Sequence, residues 1–394
     1  MLLTGTGRLA PIGLSPWAVR IDDGRITWLG SPSEADDAER VELGGALVTP
    51  GLVDSHTHPV FAGDRADEAA ARLDGSPYTD GGILRTVRAT RAADDATLEG
   101  LVEARLRAAI GAGTTTVECK SGYGLSLDEE LRHLRIIRRV SERLPIRVVA
   151  TLLGAHAVPP GGGSAAEFAR YVADEMIPAV AAEQLATFVD VFADAGFFDL
   201  DATETIARAA TAAGLGLRLH AEQLQRIGAA ELGVRLGAVS VDHLEQLDAA
   251  GVAVLAGSQT VATLLPAPAI VLRDRLPPAR ALLDAGATVA LASDANAGTY
   301  GGFGTMPLII GLGATLLRMS AGEALIAATA GGGAALRIPG LGRLEPGAPA
   351  DIVAWDTDHE GAFALRLGSV RPLRTWIGGV EVPSGAAPGN SPRT

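Results

Sequence analysis

At 394 residues the chain is long enough for two domains or for one large barrel with an attachment. It is 47% hydrophobic and 20% charged, so it can bury a large core. Its net charge of −13, with no Lys/Arg cluster, argues against nucleic acid or an anionic membrane as partner. The single cysteine, Cys119, excludes an internal disulfide and a Cys-rich metal site, and reads as an inert buried residue. Of the 33 basic residues only Lys120 is a lysine, which reads as genome composition with little bearing on mechanism.

The first residues show no basic region followed by a long apolar one, so no signal peptide is expected and the protein is read as soluble and cytoplasmic. Short β-like pieces at 18–21 and 25–29 are separated by Gly and Asp turns, and similar pieces recur at 351–355 and 373–377. Residues 1–48 and 341–383 are therefore expected to form one composite β-sandwich where the chain ends meet, with a disordered tail at 384–394. Between them, apolar runs alternate with Ala/Arg/Leu-rich helical stretches, at 52–58, 115–120, 148–153, 188–193, 217–220, 238–243, 252–256 and 288–293. Eight such units over roughly 250 residues predict a (β/α)8 TIM-type barrel across 49–340. A doubly wound open sheet would not converge the ends of separate runs so well. The stretch from Asp248 to Arg273 holds no charge between its ends, but Ser258, Gln259, Thr260, Pro266 and Pro268 make it a strand, turn and loop, with no membrane span.

Ligand-type residues close four of the runs. In Leu52-Val53-Asp54-Ser55-His56-Thr57-His58, strand alternation puts His56 and His58 on one face. His220 ends run five, His243 run six, and Asp294 run eight. Three or four imidazoles and a carboxylate at one barrel mouth make a mixed N/O set for a divalent metal, and a carboxylate there can also take a proton from water. Taken alone, Asp294 could cap the next helix, and a lone buried His is commonly structural; the set weakens both readings. His243 suits either a ligand or a donor to a developing oxyanion.

Arg65, seven residues after His58, suits a substrate carboxylate, although an arginine in such a loop read by itself is a surface residue. Tyr123 lies between Gly122 and Gly124, exposing a phenol to a pocket or packing it on a helix. His156 ends run three on the same rim. Gly161-Gly162-Gly163 and Gly331-Gly332-Gly333 lack the Lys-Ser/Thr continuation of a phosphate loop.

The His-x-His strand end, the later strand-end His and the final Ser293-Asp294 resemble the amidohydrolase superfamily. Along nearly its whole length the chain resembles the imidazolonepropionase family within it. His58-Pro59-Val60-Phe61-Ala62-Gly63-Asp64-Arg65, Glu118-Cys119-Lys120-Ser121-Gly122-Tyr123-Gly124-Leu125, Gly154-Ala155-His156-Ala157 and His220-Ala221-Glu222-Gln223 carry that likeness. The resemblance implies one Zn²⁺ or Fe³⁺ held by His56, His58, His220 and Asp294, with His243 beside the attacking water. It implies that Arg65, Tyr123, His156, Gln223, Asn296, Gly298 and Thr299 contact imidazolone propionate, whose ring opens by water addition to give N-formimino-L-glutamate in histidine degradation. It also implies a homodimer. Two-metal hydrolases on this plan often carry a bridging carboxylated lysine at the end of strand four; residues 188–194 have none, so one metal per chain is expected.

Two departures stand out. Some family members have Glu at the position of Gln223, where it can serve as base; Gln cannot, which moves proton transfer to Asp294, His243 or the substrate. The family usually reads Asp-Phe-Asn-Pro-Gly after the last strand, whereas Asp294-Ala295-Asn296-Ala297-Gly298 lacks the Phe and Pro and is expected to be looser. The rivals are a deaminase or other cyclic amidase of the same superfamily on a related heterocycle, and a catalytically dead barrel kept as a scaffold. Arg65 and Tyr123 speak against the first, and the intact His/Asp set against the second.

Overall fold

Strands buried on both faces must be apolar along their length, and parallel pairing needs a helical crossover between each pair. The chain meets both conditions. The computed structural model describes residues 1–35, 39–75 and 80–383, so the tail expected at 384–394 lies outside the described residues. Its strands are β1 (Leu2–Gly5), β2 (Trp17–Asp22), β3 (Arg25–Gly30), β4 (Arg40–Glu42), β5 (Leu47–Pro50), β6 (Leu52–Asp54), β7 (Thr114–Lys120) and β8 (Arg147–Ala155). There follow β9 (Phe188–Ala193), β10 (Gly216–Ala221), β11 (Ser240–His243), β12 (Val261–Leu264), β13 (Val289–Leu291), β14 (Ile352–Trp355), β15 (Pro372–Ile377) and β16 (Val380–Val382).

Strands β6 to β13 lie side by side in chain order, all parallel, as an eight-stranded (β/α)8 barrel wall. Closure between the last strand and the first is made just beyond their ends. Asp294 N donates to His56 O at 3.0 Å, His58 N donates to Ala295 O at 2.9 Å, and a parallel bridge joins Thr57 to Ala295. One turn lower, the Asp54 carboxylate accepts from Ser293 N at 2.9 Å and Ser293 Oγ at 2.6 Å. The segments that close the barrel are therefore the segments that carry the first and last ligand-type residues.

One expected strand is corrected. Residues 252–256 lie in the helix Ala249–Ala256, and the seventh strand is β12. Asp248 starts that helix by accepting from Gly251 N at 2.9 Å, and Val252 and Leu255 are buried while Ala253 and Val254 face out, a three-residue spacing. A short apolar run looks the same in strand or buried helix, so periodicity could not separate them. The neutral stretch after Asp248 is thus helix, strand and a second helix, Pro266–Leu272, in place of strand, turn and loop. Among the described residues no helix is long and apolar enough to cross a membrane.

The chain ends make two four-stranded sheets, ordered β3-β2-β1-β4 and β16-β15-β14-β5. They pack face to face as a small β-sandwich, with Leu3, Trp17 and Val19 from one side against Val48, Ile352 and Trp376 from the other. Trp355 alternates to the opposite face of β14 and joins the barrel core, its ring edge on Phe363 at 5.1 Å. Its Nε1 donates to Thr49 Oγ1 at 2.9 Å, so the largest side chain at the junction leaves no polar atom unpaired. Trp355→Ala should destabilise the protein by about 3–5 kcal/mol, the usual range for deleting a buried aromatic, read as a lower midpoint in chemical or thermal unfolding.

Candidate metal centre and active site

Parallel strands deliver all their C-terminal ends to one mouth. His56 and His58 follow β6, His220 lies in β10, His243 ends β11 and Asp294 follows β13, and all are at least 97% buried. His56 Nε2 lies 3.2 Å from His220 Nε2 and 3.3 Å from His58 Nε2, and Asp294 Oδ1 is 3.3 Å from His58 Nε2 and 3.6 Å from His56 Nε2. His243 and Asp294 hold left-handed backbone, with φ of +84° and +47°. Such non-glycine conformations cost about 1–3 kcal/mol each and survive where surrounding contacts impose them.

The proton positions follow from what lies behind the rings. His56 Nδ1 is 2.6 Å from Asp242 Oδ2, and His220 Nδ1 is 3.1 Å from Asp190 Oδ1. An ionised carboxylate only accepts, which assigns each ring proton to Nδ1 and leaves both Nε2 atoms as lone pairs facing one another. Burial pushes the His56 and His220 pKa values down, which disfavours a proton shared between them; Lys120 adds to the effect at His56, while Asp190 partly offsets it at His220. Facing lone pairs at 3.2 Å need a cation. Bonds of about 2.0–2.1 Å in a tetrahedron give donor separations of about 3.3–3.4 Å. His56, His58 and Asp294 form one donor group near that spacing, and His56 belongs to a second with His220 and His243.

His56, Asp190 and Asp242 form a further donor group, but it is already neutralised. Lys120 Nζ donates to Asp190 Oδ2 at 2.7 Å and Glu118 Oε1 at 2.8 Å, and Arg218 donates to Asp242 Oδ2 at 2.9 Å. His243 stands to one side, its Nδ1 3.4 Å from Glu245 Oε1 and its Nε2 3.9 Å from Asp294 Oδ2. Burial opposes its charged form, but the Glu245 and Asp294 carboxylates outweigh that and raise its pKa. Asp294 shows the converse: burial opposes ionisation, while the His58 hydrogen bond and the neighbouring imidazoles hold it below the ordinary carboxylate value.

Arg65, Tyr123, His156, Gln223, Asn296 and Thr299 line one small cavity of about 20 Å³ with His58, His220, His243 and Asp294. Arg65 is not a surface residue: it is 5% exposed and donates through Nε and one terminal nitrogen to Glu68, at 2.8 and 2.6 Å. Gly298 lies behind it, lining a larger outer cavity of about 660 Å³ that shares Arg65, Asn296 and Thr299 with the inner one. A Cβ on Gly298 would come within 2.0 Å of the guanidinium, so a larger residue here would displace the end of Arg65. His156 Nδ1 donates to Gly122 O at 2.8 Å, turning its other nitrogen to the cavity. The 294–298 loop is tied without its Phe and Pro: Asn296 Oδ1 accepts from Gly298 N and Thr299 N at 2.7 and 2.8 Å, and its Nδ2 donates to Asp294 O at 2.6 Å.

The amidohydrolase family model matches residues 47–382. The chain belongs to the amidohydrolase family. Among curated proteins it is 45% identical to the imidazolonepropionase of Rhizorhabdus wittichii over 370 residues, covering 91% of this chain and 92% of that one. It is 48% identical to that of Salinispora arenicola over 357 residues, covering 89% and 88%. Solved amidohydrolase-like structures are more distant. A 5-methylcytosine deaminase from Klebsiella pneumoniae liganded with phosphonocytosine gives a TM-score of 0.80 at 16% identity over the whole of both chains. An adenosine deaminase from Xanthomonas campestris with bound zinc gives 0.71 at 19%, over 96% and 92%, and such distances speak to fold alone.

In this amidohydrolase, residues that the sequence reading passed over hold the site in shape. Glu130, fully buried, accepts from Gly122 N, Gly124 N and Leu125 N at 2.7–2.9 Å and so shapes the turn bearing Tyr123, where Gly122 has φ +105°. Asp194 does the same beyond β10, accepting from Leu224 N and Gln225 N at 2.7 and 3.0 Å beside Gln223. The available signal was a charge isolated in an apolar strand or set just after a glycine turn, as at Glu118, Asp190, Arg218 and Asp242. Glu130→Ala should leave amides at the Tyr123 turn without an acceptor, at about 1–3 kcal/mol apiece. Hydrogen exchange should show faster exchange confined to residues 121–125; unchanged protection there would remove Glu130 from this role.

Proposed function

We propose that this hydrolase opens the cyclic amide of imidazolone propionate to N-formimino-L-glutamate, using one metal ion, Zn²⁺ or Fe³⁺, in the step of histidine degradation that its 43–48% identical relatives are named for. The observation that carries the reading is one cavity lined by His58, His220, Asp294 and the buried guanidinium of Arg65, with the His56 lone pair facing His220 just behind it. The lone pairs suit a metal, and the guanidinium suits the propionate carboxylate. His56, His58, His220 and Asp294 are the proposed ligands. A metal ion there supplies Lewis acidity, bringing the pKa of water toward neutrality and polarising the ring carbonyl.

The chain's own groups do the rest. Asp294, ionised and 3.9 Å from His243 Nε2 through its second oxygen, takes the proton of the attacking water and returns it to the leaving ring nitrogen. His243, its Nδ1 3.4 Å from Glu245 Oε1, is placed to donate a hydrogen bond from Nε2 to the carbonyl oxygen as negative charge develops on it. Gln223 is neutral and can orient the ring amide without taking its proton. Tyr123, His156, Asn296, Gly298 and Thr299 complete the substrate contacts. An inner space of about 20 Å³ admits little more than a water, so Arg65 and the 296–299 loop are proposed to shift as substrate enters from the outer cavity. A single ion is favoured because Lys120 and Arg218 already neutralise the other donor group. The resemblance also favours a homodimer, which light scattering reads directly.

Freshly generated imidazolone propionate should lose its ring absorbance in the presence of the protein, give formiminoglutamate, and stop doing so after chelation. No turnover by metal-loaded protein would reject the substrate. Metal analysis should return one equivalent, and two would sink the single-ion reading. Asp294→Asn should lower kcat by about 10²–10⁴, the range for loss of a general acid–base group, with an unchanged circular dichroism spectrum.

A further inference from the structure

The chain uses arginine for every positive side chain except one, and that one is buried. Lys120 is 0% exposed, as are Glu118, Asp190, Arg218 and Asp242 around it. Glu118 and Lys120 alternate on β7, so both face the barrel interior, and the lysine reaches past β8 to Asp190 on β9. There its Nζ donates to Asp190 Oδ2 at 2.7 Å and Glu118 Oε1 at 2.8 Å.

Asp190 divides its two oxygens. Oδ2 takes the ammonium, while Oδ1 accepts from His220 Nδ1 at 3.1 Å and from His220 N at 3.2 Å. The lysine thus fixes the rotation of the one carboxylate that sets the His220 tautomer. Glu118, its other partner, accepts from Thr57 N at 3.2 Å through Oε2, in the residue between His56 and His58. Choice of side chain matters here. Arg218, in the same interior, uses a planar fork to reach Asp242, Ser55 O and Ala335 O at 2.9, 2.8 and 2.6 Å. Between Glu118 and Asp190 only two carboxylate oxygens must be met, and a compact ammonium meets them without filling the ligand space above. A chain that otherwise writes arginine for positive charge keeps its single lysine at this point, so composition alone does not account for it.

We propose that Lys120 is a positioning residue for the metal centre: its ammonium clamps Asp190 so that Asp190 presents the Nε2 of His220 to the ion. The inference rests on the metal reading above and extends it to a residue that does not touch the ion. Without the ammonium, Asp190 Oδ2 loses its cation, and the carboxylate that orients His220 is held only through Oδ1, by the backbone and ring nitrogens of His220 itself. Groups standing behind metal ligands commonly alter metal affinity by about 10–100-fold when removed.

The test is Zn²⁺ affinity, measured by competition with a chromophoric chelator on apo protein. The parent, Lys120→Met, Asp190→Asn and the double variant are compared, with unfolding of each apo form followed separately. Lys120→Met should bind about 10–100-fold more weakly than the parent, and the double variant no more weakly than Asp190→Asn, because both changes cut the same link. A loss smaller than fivefold overturns the proposal, and so does a double variant whose loss is the product of the two single losses. If Lys120→Met does not fold, Glu118→Gln/Lys120→Met removes a carboxylate with the ammonium and is judged by the same fivefold limit. A parent that binds no metal sinks the metal reading and this inference together, whereas a binding parent with an unaffected variant sinks only this inference.

Discussion

Two imidazole nitrogens with their lone pairs aimed at each other, 3.2 Å apart and sealed from water, set the terms for the rest of this structure. The contact is repulsive unless a cation lies between the rings, and nothing in the rings themselves would hold them there. Carboxylates behind them do so, Asp242 for His56 and Asp190 for His220, by accepting a hydrogen bond from Nδ1 on the far side of each ring. The barrel does the remainder. Its first and last strands are joined at Thr57 and Ala295, so closing the sheet also fixes the distance between the His-x-His segment and Asp294.

That arrangement has a price in the barrel interior, where bulky branched residues usually fill the layers. Below the proposed ligands sit Glu118, Asp190 and Asp242 with Lys120 and Arg218, all removed from water. Buried charges stabilise little when weighed against well-packed apolar side chains, and breaking one pair leaves its partner stranded. The layer is therefore understood as a device for orientation. Its hydrogen bonds run to ring nitrogens and to the backbone at Ser55 and Thr57, on either side of His56, so they act on where the ligands point.

At the mouth a second set of charges works under different rules. Glu68 accepts from both Arg65 and Arg72, at 2.6 Å each, and Arg72 also donates to Gly298 O at 2.6 Å. These contacts tie the helix Ala66–Leu73 to the loop after β13, beside Arg65, Asn296 and Thr299, which line both cavities. On the proposed reading, an incoming carboxylate would meet an arginine already engaged by a carboxylate of the chain. It would have to share the Arg65 guanidinium or displace Glu68 from it, which would couple anion binding to the position of that helix.

The alternation of apolar runs with helical stretches, and the His and Asp residues that end four of those runs, are properties of the sequence alone. They determine a (β/α)8 barrel with ligand-type side chains at one mouth, because parallel strands place every C-terminal end together. The sandwich was legible for the same reason, as turn-bounded β pieces recurring at both chain ends. Residues 252–256 were misread because five apolar residues carry no period, and only the Asp248 cap and the packing of Val252 and Leu255 decide for helix. What lies behind the ligands was also closed to sequence reading. Glu118, Asp190, Arg218 and Asp242 come from different strands, and which cation meets which carboxylate depends on barrel register and side-chain reach. Lys120 shows the divide most plainly: in the sequence it is one rare letter, and only the folded barrel, by carrying β9 within its reach, makes it the partner of Asp190.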